Sequence, residues 1–221
     1  MTYFKINKAI SQAIPEDKQS VFTPAQIEKM KTIRNIVLAS VAITGIVAVA
    51  VVAPNLFSAV GRLNKNKYPG KKWTKKEKAD QITRSFFYLK KSGLVKFKKT
   101  NKEIFAFITD EGKKRAQKIN IATAEIEKQK FWDGKWWQVA ADIPTKQYRQ
   151  SADLLRRKLK ELGFYPLQRT LWFYPYDPRK VVEYVASYYY ISRYVTLMEI
   201  NRMDIEDEKV LKNFFKKKNL I

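Results

Sequence analysis

The pattern of apolar and polar positions changes character three times along the chain. From Ile36 to Ala53 the run IVLASVAITGIVAVAVVA carries no charge and would be apolar on every side of a helix. A surface helix keeps a polar face, so a helix of this kind belongs either at the centre of a core or in lipid. Pro54 is expected to end or kink it. The basic flank is heavier after the run than before it, with Arg62, Lys65, Lys67, Lys71, Lys72, Lys75, Lys76 and Lys78 following closely. A span over 36–53 would therefore leave the C-terminal side in the cytoplasm. A secretory signal does not fit, because the run starts well inside the chain and no small-residue cleavage site follows it. Two readings stand on the sequence: a membrane span, and a very apolar first helix of the following domain. Residues 1–30 read as a short helix or a loose arm and offer no site.

From Trp73 the period becomes helical. WTKKEKADQITRSFFYLKKSGLV places Ala79, Ile82, Phe86 and Leu89 on one face with basic residues on the other, and Gly93 stands where a C-cap glycine belongs. Two short strand-like runs follow, Leu94 to Lys98 and Ile104 to Ile108. The turn-like Lys99-Thr100-Asn101-Lys102 between them predicts a hairpin with a cationic tip. Thr109 then caps a helix whose first turn is acidic, DEGKKRAQKINIATAEIEKQK. Helix, hairpin and helix form the order of a winged helix-turn-helix.

The remaining residues are organised differently. WWQVAADI reads as a strand. TKQYRQSADLLRRKLKELG reads as a helix with a core face of Tyr148, Ala152, Leu155, Leu159 and Leu162, ending at Gly163. FYPLQRTLWFYPYD is extended and divided or bent near Gln168. PRKVVEYVASYYY is a second helix with Pro178 near its start, and YVTLMEIN a last strand. The order β, α, β, β, α, β predicts a ferredoxin-like sheet with both helices on one face. The fold class expected is thus α+β: a hydrophobic N-terminal helix within an arm over 1–60, a winged-helix domain over 61–130 and a ferredoxin-like domain over 131–221.

Charge sharpens this division. The net charge is +23, and residues 61–130 hold 21 Lys and Arg against 7 acids, which points to a polyanionic partner such as nucleic acid or an anionic membrane face. The chain has no Cys and no His. Disulfides, thiolate metal sites, cysteine nucleophiles and imidazole bases are excluded, leaving carboxylates with a hard cation as the main catalytic option.

The middle segment resembles the winged-helix family of bacterial regulators on Tyr88, Leu89, Gly93, Leu94 and Val95, followed by Ile108, Thr109 and Gly112. That resemblance implies a recognition helix near Lys75 to Lys91 in a major groove, with Lys75, Lys76, Gln81, Arg84 and Ser85 toward the DNA and Lys98, Lys99 and Lys102 positioning the wing on phosphates. Lysines in such a pattern can also form a solvated face or hold anionic lipid. In the last part Trp132 to Trp136, Asp142 to Pro144, Leu155 to Gln168, Trp172 to Asp177 and Tyr194 to Ile200 resemble the PaaX family of transcriptional regulators. Their corresponding domain is similar to the Cas-two family of CRISPR-associated adaptation proteins.

The resemblance implies a DNA-binding regulator, a repressor in cytoplasm that occupies operator DNA as a homodimer, with no cofactor and an effector the sequence does not name. It also carries an alternative, a CRISPR-associated nuclease or adaptation subunit in which Asp142, at the end of the first strand, shares Mg with its copy in a dimer. A local role competes with that one: Asp142 would accept hydrogen bonds from the amides that open the next helix. Asp153 and Asp177 have no geometric claim on the same ion. A third reading is a membrane-attached protein on the inner face of the cytoplasmic membrane that binds lipid or DNA. The aromatics Trp136, Trp137, Trp172, Phe173, Tyr174, Tyr176 and Tyr188 to Tyr190 read as core and dimer surface ahead of base-stacking platforms, because no RNP-like pattern accompanies them.

Overall fold

The structure is a computed structural model that describes residues 2–13, 20–100 and 103–221. The chain divides into two compact units, Met1–Thr123 and Ala124–Ile221.

The first unit opens with α1 (Tyr3–Gln12), which buries Ile6 and Ile10. Next comes α2 (Pro24–Met30), started by a reciprocal capping box: the Gln26 amide donates to Thr23 Oγ1 at 3.1 Å and the Thr23 amide to Gln26 Oε1 at 3.0 Å. α3 (Ile33–Thr44) begins on Thr32, whose hydroxyl oxygen accepts from the Asn35 amide. The uncharged run does not continue as one helix. Gly45 takes a φ of +76°, a conformation open to glycine, and ends α3. Residues Ile46–Ala48 form β1, and the chain restarts as α4 (Val49–Lys67). The expected helix over 36–53 is therefore a helix, a strand and the start of a second helix. α4 runs through Pro54 in its second turn, where the missing N–H costs the helix one bond.

Most of the run is apolar because it packs into a core, although Ile43, Ile46 and Val51 stay exposed. Ile36, Val37, Leu38, Val41, Val49, Val52, Ala53 and Leu56 lie in one cluster with Ile82, Phe86 and Leu89. The segment expected as a separate arm is the core of the first unit. Among the described residues no helix is long and apolar enough to cross a membrane, which corrects the span expected over 36–53.

α5 (Lys75–Lys91) starts on a second capping box, Thr74 with Glu77, and buries Ala79, Ile82, Phe86 and Leu89 as their spacing predicts. It ends in a Schellman arrangement: Leu94 N–H reaches the Leu89 carbonyl at 2.9 Å, Gly93 N–H reaches Lys90 at 3.0 Å, and Gly93 has a φ of +70°. β2 (Val95–Lys99) and β3 (Ile104–Ile108) form the antiparallel hairpin, and β1 pairs with the other edge of β3 in the order β1-β3-β2. Thr109 then opens α6 (Asp110–Thr123). Its hydroxyl donates to the Gly93 carbonyl at 2.7 Å and accepts from the Gly112 amide at 3.0 Å, tying the end of α5 to the start of α6.

The second unit contains β4 (Trp136–Ala141), α7 (Thr145–Leu162), β5 (Tyr165–Pro166), β6 (Leu171–Tyr174), α8 (Arg179–Tyr188), β7 (Val195–Ile200) and α9 (Ile205–Lys217). All strand pairs are antiparallel and the sheet order is β5-β6-β4-β7. Up to β7 this is the βαββαβ path with the first strand central, the ferredoxin-like topology. α7 and α8 pack against each other.

The extended stretch is divided where expected, with the Gln168 and Leu171 backbones bonded to each other between β5 and β6. Ala152, Leu155 and Leu159 are buried, but Tyr148 is not part of that face. Its backbone leaves the helical region (φ −121°, ψ 25°) and its hydroxyl accepts from Arg193 at 2.9 Å. α9 adds to the expected elements. Asp204 caps it, and Phe215, fully buried, brings its ring to 5.5 Å from Trp136.

Candidate nucleic-acid interface

The chain between α4 and α5 is a cationic turn. Lys65 and Lys67 end α4, and Lys71, Lys72, Lys75 and Lys76 follow across the connection into the first turn of α5, all exposed. Aromatic packing gives the turn its shape. Lys71 Nζ lies 3.9 Å from the Trp73 ring centre, and that ring lies 5.7 Å from Tyr68. Glu77 is already occupied: the Thr74 amide donates to it at 2.8 Å and Lys71 lies at 3.3 Å. The Thr74 hydrogen bonds first, and then Lys71, hold its carboxyl below the usual range.

On the outer side of α5, Arg84 is exposed beside the Tyr3 hydroxyl. Burial raises the Tyr3 phenol above its ordinary value, with Arg84 opposing the rise and Asp80 adding to it. Two of the residues expected to face DNA point elsewhere. Ser85 is 6% exposed and its hydroxyl donates to the Gln81 carbonyl at 2.8 Å. Gln81 is half-buried and its side-chain oxygen accepts from Asn64 of α4 at 2.8 Å. Gln81 joins α5 to α4, while Ser85 bonds back within its own helix, relations that a basic-face pattern read on α5 alone does not contain.

Lys98 and Lys99 are exposed near the end of β2. Lys102 lies outside the described residues. The exposed lysines of the turn, of the start of α5 and of the hairpin are thus carried by consecutive elements of one fold. Such groups contact phosphate oxygens and release counterions from a nucleic acid.

In the second unit Asp142 is exposed at the end of β4. The local role expected for it is not what the structure has. The residue capping α7 is Pro144, without a side-chain cap bond, and the junction is held by the Asp142 backbone, whose N–H donates to the Tyr194 carbonyl at 3.1 Å. Asp153 pairs with Arg156 at 3.0 Å, and Asp177 accepts from the Arg179 amide at 2.9 Å. Among the described residues no group of three or more carboxylates is placed to hold a metal ion.

Trp136, Trp172, Phe173, Tyr174 and Tyr176 are buried, so they serve the core, whereas Tyr190 is 86% exposed. Tyr174 meets Phe164 and Phe215 at ring distances of 5.0 and 6.0 Å.

No curated protein matches the chain closely enough to count as a relative. Residues 129–211 match the family model of the PaaX protein central Cas2-like domain. With that match and the sheet order β5-β6-β4-β7, the second unit is similar to the PaaX central Cas2-like domain, which supports a PaaX-type family.

Proposed function

We propose that this protein is a DNA-binding transcriptional regulator of the PaaX type, a repressor that occupies operator DNA as a homodimer. The observation that carries this reading is the exposure of Lys71, Lys72, Lys75 and Lys76 before and within the first turn of α5, together with Lys98 and Lys99 on the hairpin that follows it. Element order supports it. From α3 to β3 the chain runs helix, strand, helix, helix, strand, strand with a β1-β3-β2 sheet, the path of a winged helix in which α5 is the recognition helix and the β2–β3 hairpin the wing.

In this reading the lysines neutralise backbone phosphates and set the register, and Arg84 reaches toward base edges. Two copies joined through their Cas2-like domains would bring two α5 helices to successive half-sites. The test is binding of duplex DNA across a salt series by the wild type and by Lys98→Gln/Lys99→Gln. The slope of log affinity against log salt should become shallower by about 0.9 for each phosphate that the variant no longer neutralises. An unchanged slope would remove the hairpin from the interface, and wild-type protein without affinity for duplex at any salt would overturn the regulator reading.

A nuclease reading keeps one observation in its favour, the exposure of Asp142 at the end of the first strand of a Cas2-like domain. There a second copy and the nucleic acid would supply the remaining oxygens for Mg. Cleavage of DNA or RNA that needs Mg and disappears in Asp142→Ala would favour it over repression.

A further inference from the structure

α1 lies along the flank of α5. Ile6 and Ile10 are fully buried. Beside them the Tyr3 hydroxyl and the Asn7 amide both donate to Asp80 Oδ1, at 3.3 and 2.8 Å, and Asn7 also reaches Thr83 Oγ1 at 3.2 Å. The Tyr3 ring meets Phe87 at 5.5 Å. Anchored in this way, α1 leaves Lys5, Lys8 and Gln12 bordering a cleft shared with the β2–β3 hairpin. Lys5, Lys8 and Gln12 line a cleft of about 570 Å³ together with Ala50 and with Lys99 and Glu103 of the hairpin.

Charge indicates what this cleft takes. Three lysines line it against one carboxylate, Glu103. α1 itself carries no acid. The two carboxylates of α5 are engaged on the protein, Asp80 by Tyr3 and Asn7, and Glu77 by Thr74 and Lys71. What remains is a cationic concavity between α1, the start of α4 and the hairpin proposed as the wing. A tetrahedral anion with several acceptor oxygens suits it better than an apolar or cationic ligand.

We propose that α1 is a third nucleic-acid contact element, and that Lys5 and Lys8, together with Lys99, hold a phosphate group of the DNA backbone in this cleft. The proposal rests on the DNA-binding reading above. It assigns α1 to the interface, where its close packing on α5 would otherwise make it only a support.

The test uses the full chain and a duplex of unselected sequence, with affinity measured by fluorescence anisotropy over a salt series. Lys5→Gln/Lys8→Gln should make the log–log salt slope shallower by about 0.9, the value for the one phosphate that the cleft neutralises. Lys5→Arg/Lys8→Arg should restore it, and Glu103→Gln should tighten binding. Both lysines are exposed, so circular dichroism of the variants should match the wild type.

Wild-type binding with a slope that the glutamine pair leaves unchanged would overturn the inference while the regulator reading stands. Tighter binding by the glutamine pair would overturn it too, since α1 would then be obstructing the duplex. Absence of wild-type binding at any salt would overturn both.

Discussion

Gly112 has no room for a side chain. A Cβ there would lie 2.1 Å from the Leu94 carbonyl oxygen and 2.7 Å from Ile108, so the start of α6 can approach the end of α5 only because this residue is glycine. Gly112→Ala should lower stability by about 2–3 kcal/mol, the upper part of the usual range for overpacking, read as a fall in the urea midpoint. Gly93→Ala has open space but keeps a φ of +70°, and its cost should be about 1 kcal/mol. Tyr174 makes a prediction in pH. Burial first, and Tyr176 second, push its phenol up to about 12 from the ordinary 10.0. The neutral form is thereby favoured in the folded state, so the contribution to stability is complete below pH 10 and is lost as pH rises toward 12. Tyr174→Phe should flatten that part of the stability profile, which paired ultraviolet titration and urea melts would reveal. The spacing of Gly93, Thr109 and Gly112 is visible in the sequence, but the 2.1 Å approach that explains Gly112 is not, because it depends on two segments meeting.

At the scale of elements, local chemistry is most informative where caps and periodicity coincide. α5 is bounded by Thr74 and Glu77 at one end and Gly93 at the other, and its four core positions fall at helical spacing. Thr74→Ala should remove the cap from Glu77 N–H and lower stability by about 1 kcal/mol. The same substitution keeps the first cause of the lowered Glu77 carboxyl, the Thr74 backbone hydrogen bond, and removes the second, the Thr74 hydroxyl bond. That carboxylate contributes above its ordinary value of 4.5 and loses its contribution as pH falls through the folded value, so the acid limb of the stability profile should shrink in the variant. α9 was equally legible in principle. Asp204 precedes three acids, Leu211 and Phe215 are four apart, and Lys216 and Lys217 close the last turn. The run over 36–53 was not legible, because uniform apolarity is compatible with one long helix and with three short elements buried on several sides. Gly45 alone marks the break, and a glycine inside an apolar run does not say whether the chain turns there.

For the whole molecule, the sign and place of the charge are set by composition, while what surrounds each charge is set by folding. If two copies act together, footprints on genomic DNA should cover paired half-sites related by a two-fold axis and separated by about 10 base pairs or a multiple of that spacing. Protection of one isolated half-site would argue for a monomer. By itself the sequence determined the basic middle segment, the absence of thiol and imidazole chemistry, the helix-hairpin-helix order and the βαββαβ order, since these follow from residue type and local period. The tertiary structure alone decided that most of the apolar run packs into the core of the first unit, that Gln81 turns toward Asn64 and Ser85 is buried, and that the Asp142 side chain does not cap α7. It also brought Lys5 and Lys8 to the same cleft as Lys99. Each of these depends on contacts between segments far apart in the chain, and the free energy of such contacts is not written in any local pattern.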